Sequence, residues 1–228
     1  MSEWNIKDFV YLCYEKGIAR KHPGWTNYLT AVQQSLYQAN RHAEDAKQAG
    51  QSWIESGKFD LVPESRERVE YETQIFAYIR ALHSVADKLG QVINLVVLDG
   101  DLDEETVNFG KVVDRLAKTR IAPQVKDSME RFRDSQEFRY LRAFCNTIKH
   151  RQSPQWGIRM EYRPDKPWRA DMTFLAFEYE GEKYPEVWAS DVLEYRYRVQ
   201  GALADVGLSL DDFVKGFPSW PWVRQSNP

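Results

Sequence analysis

The sequence predicts a mainly α protein: an antiparallel bundle of four long helices, with a small antiparallel β-hairpin inserted before the last long helix. Three patterns carry this. Tyr71, Ile75, Tyr78, Leu82, Val85, Leu89, Val92 and Val96 keep an unbroken 4/3 alternation, which is the repeat of one helix face. Leu29, Val32, Leu36, Ala39, Ala43, Ala46 and Trp53 keep the same spacing upstream. After Pro154 the period changes to two: Trp156, Ile158, Met160 and Tyr162 alternate with Gly157, Arg159, Glu161 and Arg163, the pattern of a strand.

The 228 residues, 43% hydrophobic and 29% charged, suit one well-buried core, so a single domain over residues 1–228 is expected. Taken in order, residues 4–16 form a short helix closed by Gly17 and the Pro23-Gly24 pair. Thr26 caps a long helix that ends near Gly57. Pro63 and Ser65 start the next, in which Ile79, Ala86 and Ile93 widen the apolar stripe; Asp99-Gly100-Asp101 ends it. A shorter helix spans residues 104–118, with Val107, Val112 and Leu116 inside. Pro123 opens another. Its apolar frame, Val125, Met129 and Phe132, does not continue into that of Phe138 and Leu141, so a break is expected at Asp134-Ser135, with Ser135 capping the helix that carries Asn146 and His150. The β insertion occupies about 155–187, with a turn at Asp165-Lys166-Pro167, a second strand carrying Thr173, Leu175, Phe177 and Tyr179, and a turn at Glu180-Gly181. Ser190 or Asp191 caps the last long helix, which Gly207 ends, with a further turn or two over residues 209–215.

Net charge is −3, so the whole molecule is no obvious polyanion binder. The charge is uneven, however. Residues 111–151 hold eleven Lys/Arg against five Asp/Glu, whereas residues 99–105 hold five acids and no base. A basic surface for phosphates and an ordinary solvated helix face both fit this bias. The first residues lack a signal-peptide pattern, and no apolar run approaches a membrane span of roughly 20 residues. A cytoplasmic protein without a membrane partner is the expectation. Cys13 and Cys145 are too few for a disulfide framework or a thiolate site, and Cys145 reads as a small core residue.

Two polar stripes interrupt core-like helices. In residues 139–151, RYLRAFCNTIKHR, and the residue before them, the side chains of Phe138, Leu141, Phe144, Cys145 and Ile148 fall on one side of a helix. Arg139, Arg142, Asn146, Lys149 and His150 fall within an arc of about 100° on the other; Arg151 comes next in the chain. On the earlier helix His83, Asp87, Gln91 and Asn94 are spaced 4, 4 and 3. Buried polar groups need partners, and one economical arrangement sets the two stripes face to face. His83 also reads as a hydrogen-bonded core histidine, Asp87 and Gln91 as solvated, and His150 as a cation at a helix C-terminus, where the dipole favours it. Four histidines without a Glu-x-x-His pair, and no glycine-rich phosphate loop, lead to no expected metal or cofactor.

A helical bundle whose late helix carries Asn146-x₃-His150 among basic residues resembles the HEPN superfamily. In that family the motif is Arg, four to six residues, then His, often with a polar residue directly after the Arg. Asn146 and His150 match the polar residue and the His. The permitted Arg positions hold Ala143, Phe144 and Cys145, and Arg142 lies one residue upstream of them. The resemblance implies a homodimer with a site composed across two subunits, and RNA as the partner. It further implies a metal-independent ribonuclease of a toxin or defence system. His150 would then be the general acid or base, Arg142 the phosphate clamp, with Arg139 or Arg151 beside it, and Asn146 the orienting group. The alternative is a non-catalytic helical-bundle interaction module whose protein partner binds the basic ridge, the acidic turn or the aromatic-rich strands. The candidate binding residues are Arg139, Lys149, Arg151, His83, Asp87, Gln91 and Asn94.

Overall fold

The computed structural model describes residues 4–57, 65–150, 154–163 and 166–217, without the side chains of residues 19, 20, 150, 163 and 166–168. The chain is mainly α, and the strands lie between the two last helices. Helices are α1 (Ile6–Glu15), α2 (Ile18–Lys21), α3 (Trp25–Glu55), α4 (Arg66–Val96), α5 (Phe109–Thr119), α6 (Pro123–Asp134), α7 (Gln136–His150) and α8 (Ala189–Lys215). Strands are β1 (Trp156–Arg163), β2 (Lys166–Phe174), β3 (Phe177–Tyr179), β4 (Glu182–Tyr184) and β5 (Val187–Trp188). Among the described residues no helix is long and apolar enough to cross a membrane.

The residues fall into two compact units. The first takes α1, α2, α5 and α6, residues 25–34 of α3, 84–96 of α4 and 199–215 of α8. Asn5 caps α1, its side chain accepting from the Lys7 and Asp8 amides at 3.1 and 3.4 Å. Phe9, Trp25, Leu29, Leu89, Val112, Met129, Phe132, Val206 and Leu210 are buried in this unit's interior. Phe9 meets Trp25 edge-on at 5.9 Å, and Phe109 meets Phe132 at 5.2 Å.

Three boundaries here differ from expectation. The helix after the acidic turn starts at Phe109 rather than Glu104, because Asn108 is its cap and accepts from the Lys111 amide at 3.0 Å. The long helix α3 already includes Trp25, one residue ahead of the expected cap Thr26. Gly207 does not end α8, which continues to Lys215. A glycine inside a helix costs about 1 kcal/mol relative to alanine. Its use here is room: a Cβ at this position would lie 2.0 Å from the Trp4 indole.

The second unit takes residues 35–55 of α3, 66–83 of α4, α7, the strands and 189–198 of α8. Ser65, just ahead of α4, accepts from the Arg68 amide at 3.3 Å; the other expected start residue, Pro63, lies outside the described residues. Ala39, Ala43 and Ala46 are fully buried on α3, and at Gly50 a Cβ would come within 2.9 Å of the Tyr71 ring. Gly50 thus lets Tyr71 of α4 approach α3 closely. Phe76, Phe144 and Phe174 form an aromatic cluster joining α4, α7 and β2, with Phe144 and Phe174 at 4.8 Å.

The insertion is richer than one hairpin. β1 pairs antiparallel with β2, which pairs with β5, while β3 and β4 form a separate two-stranded hairpin. The expected second strand is therefore split: Thr173 belongs to β2, Phe177 and Tyr179 to β3. Lys166 and Pro167, read as turn residues, open β2; Asp165 lies outside the described residues. The turn at Glu180-Gly181 is as expected, with both residues at positive φ, 53° and 80°, as a tight two-residue hairpin turn requires.

Buried Asp171 on β2 ties the unit together. It accepts from the Tyr71 hydroxyl at 2.8 Å, from the Met172 amide at 2.7 Å and from the Ser190 amide at 3.0 Å. A carboxylate from the sheet thus caps the N-terminus of α8, which the helix dipole favours. The sequence places that cap on Ser190 or Asp191; their side chains instead receive the Arg169 guanidinium, at 2.6 and 2.7 Å.

Candidate functional site

The break between α6 and α7 is where the sequence places it: Ser135 is extended (φ −62°, ψ 142°), and its hydroxyl donates to the Phe132 carbonyl at 2.8 Å. Restarting the helix at Gln136 rotates a new face inward. Phe138, Tyr140, Leu141, Ala143, Phe144 and Cys145 are all buried. On the opposite side Arg139, Arg142 and Asn146 are half-buried and Lys149 is exposed. His150 is the last residue of α7; its side chain and Arg151 lie outside the described residues.

The β3–β4 hairpin supplies partners that the sequence gives no reason to place here. Arg139 donates to the Glu182 carboxylate, which also accepts from the Tyr184 hydroxyl at 3.0 Å. The Arg139 hydrogen bond is the main reason the Glu182 carboxyl is held below its ordinary range. Further along the helix, Asn146 hydrogen-bonds to the Tyr179 hydroxyl, opposing the burial and the neighbouring Glu180 that raise the phenol's pKa. Arg142 lies between these two contacts. Its charge is felt at Tyr179, Glu182 and Tyr184, yet it makes no hydrogen bond or ion pair among the described residues. The spacing of four between Arg142 and Asn146 puts them on adjacent turns of one face. A cavity of about 140 Å³ adjoins the ridge, lined in part by Arg139, Tyr140, Glu182 and Tyr184.

The α4 stripe has a different occupation. His83 stacks on Phe138 of α7, ring centroids 6.0 Å apart and nearly parallel at 7°. Asp87 accepts from the Phe109 amide at 3.2 Å, and Gln91 donates to the Glu104 carbonyl at 3.0 Å. Asn94 donates to the Leu102 carbonyl at 2.9 Å and accepts from its amide at 3.1 Å, matching both backbone groups of one residue. These three side chains satisfy the irregular segment between α4 and α5. At Gly90, on the same stretch, a Cβ would come within 3.1 Å of Phe109 Cα. Spacing alone shows that the stripe is polar; only the path of the segment shows what it serves.

Chemically, the α7 ridge offers one guanidinium without an acid partner among the described residues, a second already held by a carboxylate, an amide and an exposed ammonium. Guanidinium is the side chain best matched to phosphate oxygens, and amides and tyrosines contact sugar and phosphate as readily. The three residues at the permitted Arg positions of the HEPN motif, Ala143, Phe144 and Cys145, are buried at 0%, 0% and 1% exposure. The family described as HEPN_Cthe2314-like HEPN matches residues 24–183, which hold α3 to β3 and most of β4. No curated protein and no solved structure matches the chain.

Proposed function

The chain belongs to the HEPN_Cthe2314-like HEPN family, and from that premise we propose that it binds RNA, holding the sugar–phosphate backbone along the α7 ridge. The observation that carries this reading is Arg142, a half-buried guanidinium without an acid partner among the described residues, one turn from Asn146. In this reading Arg142 takes the central phosphate. Lys149 extends the track, and Asn146 and Tyr179 contact the sugar edge. The working unit is a homodimer, which doubles the basic surface. His83, Asp87, Gln91 and Asn94 contribute through the fold rather than by touching RNA.

A second reading, metal-independent RNA cleavage, is favoured by the order Arg142, Asn146, His150 along one helix face. His150 would take the proton of a ribose 2′-hydroxyl, as its ordinary pKa near the working pH allows. Arg142 would steady the charge developing on the phosphate. Against it stand the buried apolar residues at the motif's Arg positions, which leave Arg142 as the clamp.

Labelled single-stranded RNA incubated with the protein and a chelator separates the readings. Retarded but intact RNA with both wild type and His150→Ala is the result expected for binding alone. Cleavage by wild type that His150→Ala abolishes establishes the second reading. RNA that is neither bound nor cut removes both and leaves the ridge to a protein partner.

A further inference from the structure

The cavity of about 140 Å³ beside the α7 ridge is lined by a residue whose polar group the fold leaves unserved. Tyr140 is 2% exposed, and its hydroxyl has no hydrogen-bond partner among the described residues. A buried tyrosine hydroxyl normally finds one, because leaving the bond unmade carries the full desolvation cost. Burial raises the Tyr140 pKa, with Tyr195 adding to the shift, so the phenol keeps its proton and remains a donor. The rest of the lining is aromatic and charged at once. Tyr184 and Tyr195 line the cavity and meet the Tyr140 ring edge-on, with centroids at 6.1 and 5.7 Å; Val187 adds an apolar wall. Arg139 and Glu182 line it as well, bonded to each other, with the Tyr184 hydroxyl on the same carboxylate at 3.0 Å. A guanidinium has about five N–H donors and a carboxylate about four acceptor sites, so their contact leaves both with capacity for a ligand.

Such a lining suits a flat ring with acceptors and donors on its edge. Size selects which ring. An engineered apolar cavity of about 150 Å³ in another protein holds a single benzene, so about 140 Å³ takes one six-membered ring and not a fused pair. We infer that this cavity receives one pyrimidine base of a bound single-stranded RNA and refuses purines. The inference rests on the reading that the α7 ridge binds RNA. Arg139 precedes Arg142 by three residues, so the two are neighbours on the helix surface, and a nucleotide whose phosphate lies on Arg142 can set its base at the cavity. The Tyr140 hydroxyl donates to the O2 carbonyl that uracil and cytosine share. Glu182 accepts from uracil N3–H or from the cytosine amino group. The phenol rings supply the π surface against which single-stranded bases pack. Stacking tolerates every base; the volume and the Tyr140 donor make this position selective.

Fluorescence anisotropy with short single-stranded RNA reads the selectivity. The reference is an all-adenosine strand, and three others replace its central adenosine by uridine, cytidine or guanosine. Uridine and cytidine should each tighten binding about tenfold over the reference, and guanosine should not. Tyr140→Phe, which keeps the ring and removes the donor, should reduce that gain several-fold. Val187→Phe, which fills the cavity, should abolish it. The readout in each protein is the ratio between strands, so a general change in phosphate affinity cancels. Equal affinity of wild type for all four strands overturns the inference and leaves the phosphate track standing. A gain from guanosine matching that from uridine overturns it too, as does a gain undiminished in both variants. No measurable binding of any strand removes the RNA reading itself, and this inference with it. The four-strand comparison in wild type decides the matter even where Val187→Phe fails to fold.

Discussion

Arg139 on α7 and Glu182 on β4 are bound to each other, so the first cation of the basic ridge is already neutralised from within the chain. On the RNA-binding reading, a phosphate would have to compete with that carboxylate. Glu182→Gln, which keeps the shape and removes the charge, is expected to strengthen single-stranded RNA binding several-fold at low salt. Fluorescence anisotropy measures it; equal affinity in the variant would mean that Arg139 is not part of the RNA surface.

The same pair sets a pH dependence. The Glu182 carboxyl is held below its ordinary value chiefly by the Arg139 hydrogen bond. A depressed carboxylate contributes stability at pH above its unfolded value and loses it as pH falls through the folded value. The loss should therefore come only in acid, below the ordinary glutamate range. Carboxyl titration by NMR should show Glu182 moving up toward that range in Arg139→Gln. A Glu182 titration unchanged by that substitution would assign the depression to another group.

Asp171 predicts a large stability effect. Its carboxylate serves Tyr71, the Met172 amide and the first turn of α8 at once. Asp171→Ala leaves a buried hydroxyl and two amides without this acceptor and is expected to cost about 3 kcal/mol or more. Tyr71→Phe, which removes one donor only, should cost about 1 kcal/mol. Denaturant unfolding gives both values, and a loss no larger for Asp171→Ala than for Tyr71→Phe would contradict the shared role.

Gly207→Ala tests the close approach of α8 to Trp4. Helix propensity alone favours alanine by about 1 kcal/mol. The clash with the indole reverses the sign, for an expected net loss of about 1–3 kcal/mol. Trp4→Ala in the same chain should abolish that loss, a coupling that a double-mutant cycle reads directly. Additive effects would show that the glycine is used for another reason.

These cases mark where the sequence is legible. The periodic stripes of α3 and α4, the break at Ser135 and the buried side of α7 are dictated by local spacing, and all are found. Gly207 is unreadable because a packing glycine and a terminating glycine look alike until the distant Trp4 is placed. Asp87, Gln91 and Asn94 form a stripe of functional appearance because the backbone groups they satisfy lie on a separate irregular segment. The partners of the α7 ridge, Tyr179, Glu182 and Tyr184, come from a hairpin about 30 to 40 residues away in sequence, and no local pattern aims them at Arg139 and Asn146. The β insertion is legible as strands but not in its pairing, since two short hairpins carry the same alternation as one long one.

The central claim, that Arg142 holds RNA phosphate on the α7 ridge, is most directly tested by the salt dependence of single-stranded RNA binding. Wild type and Arg142→Gln would be compared on several unrelated sequences. A phosphate contact contributes about 0.7 to the slope of log affinity against log salt for a single strand. A slope shallower by about that amount is expected in Arg142→Gln, with affinity reduced by a similar factor on every sequence. The same slope and affinity in the two proteins would contradict it.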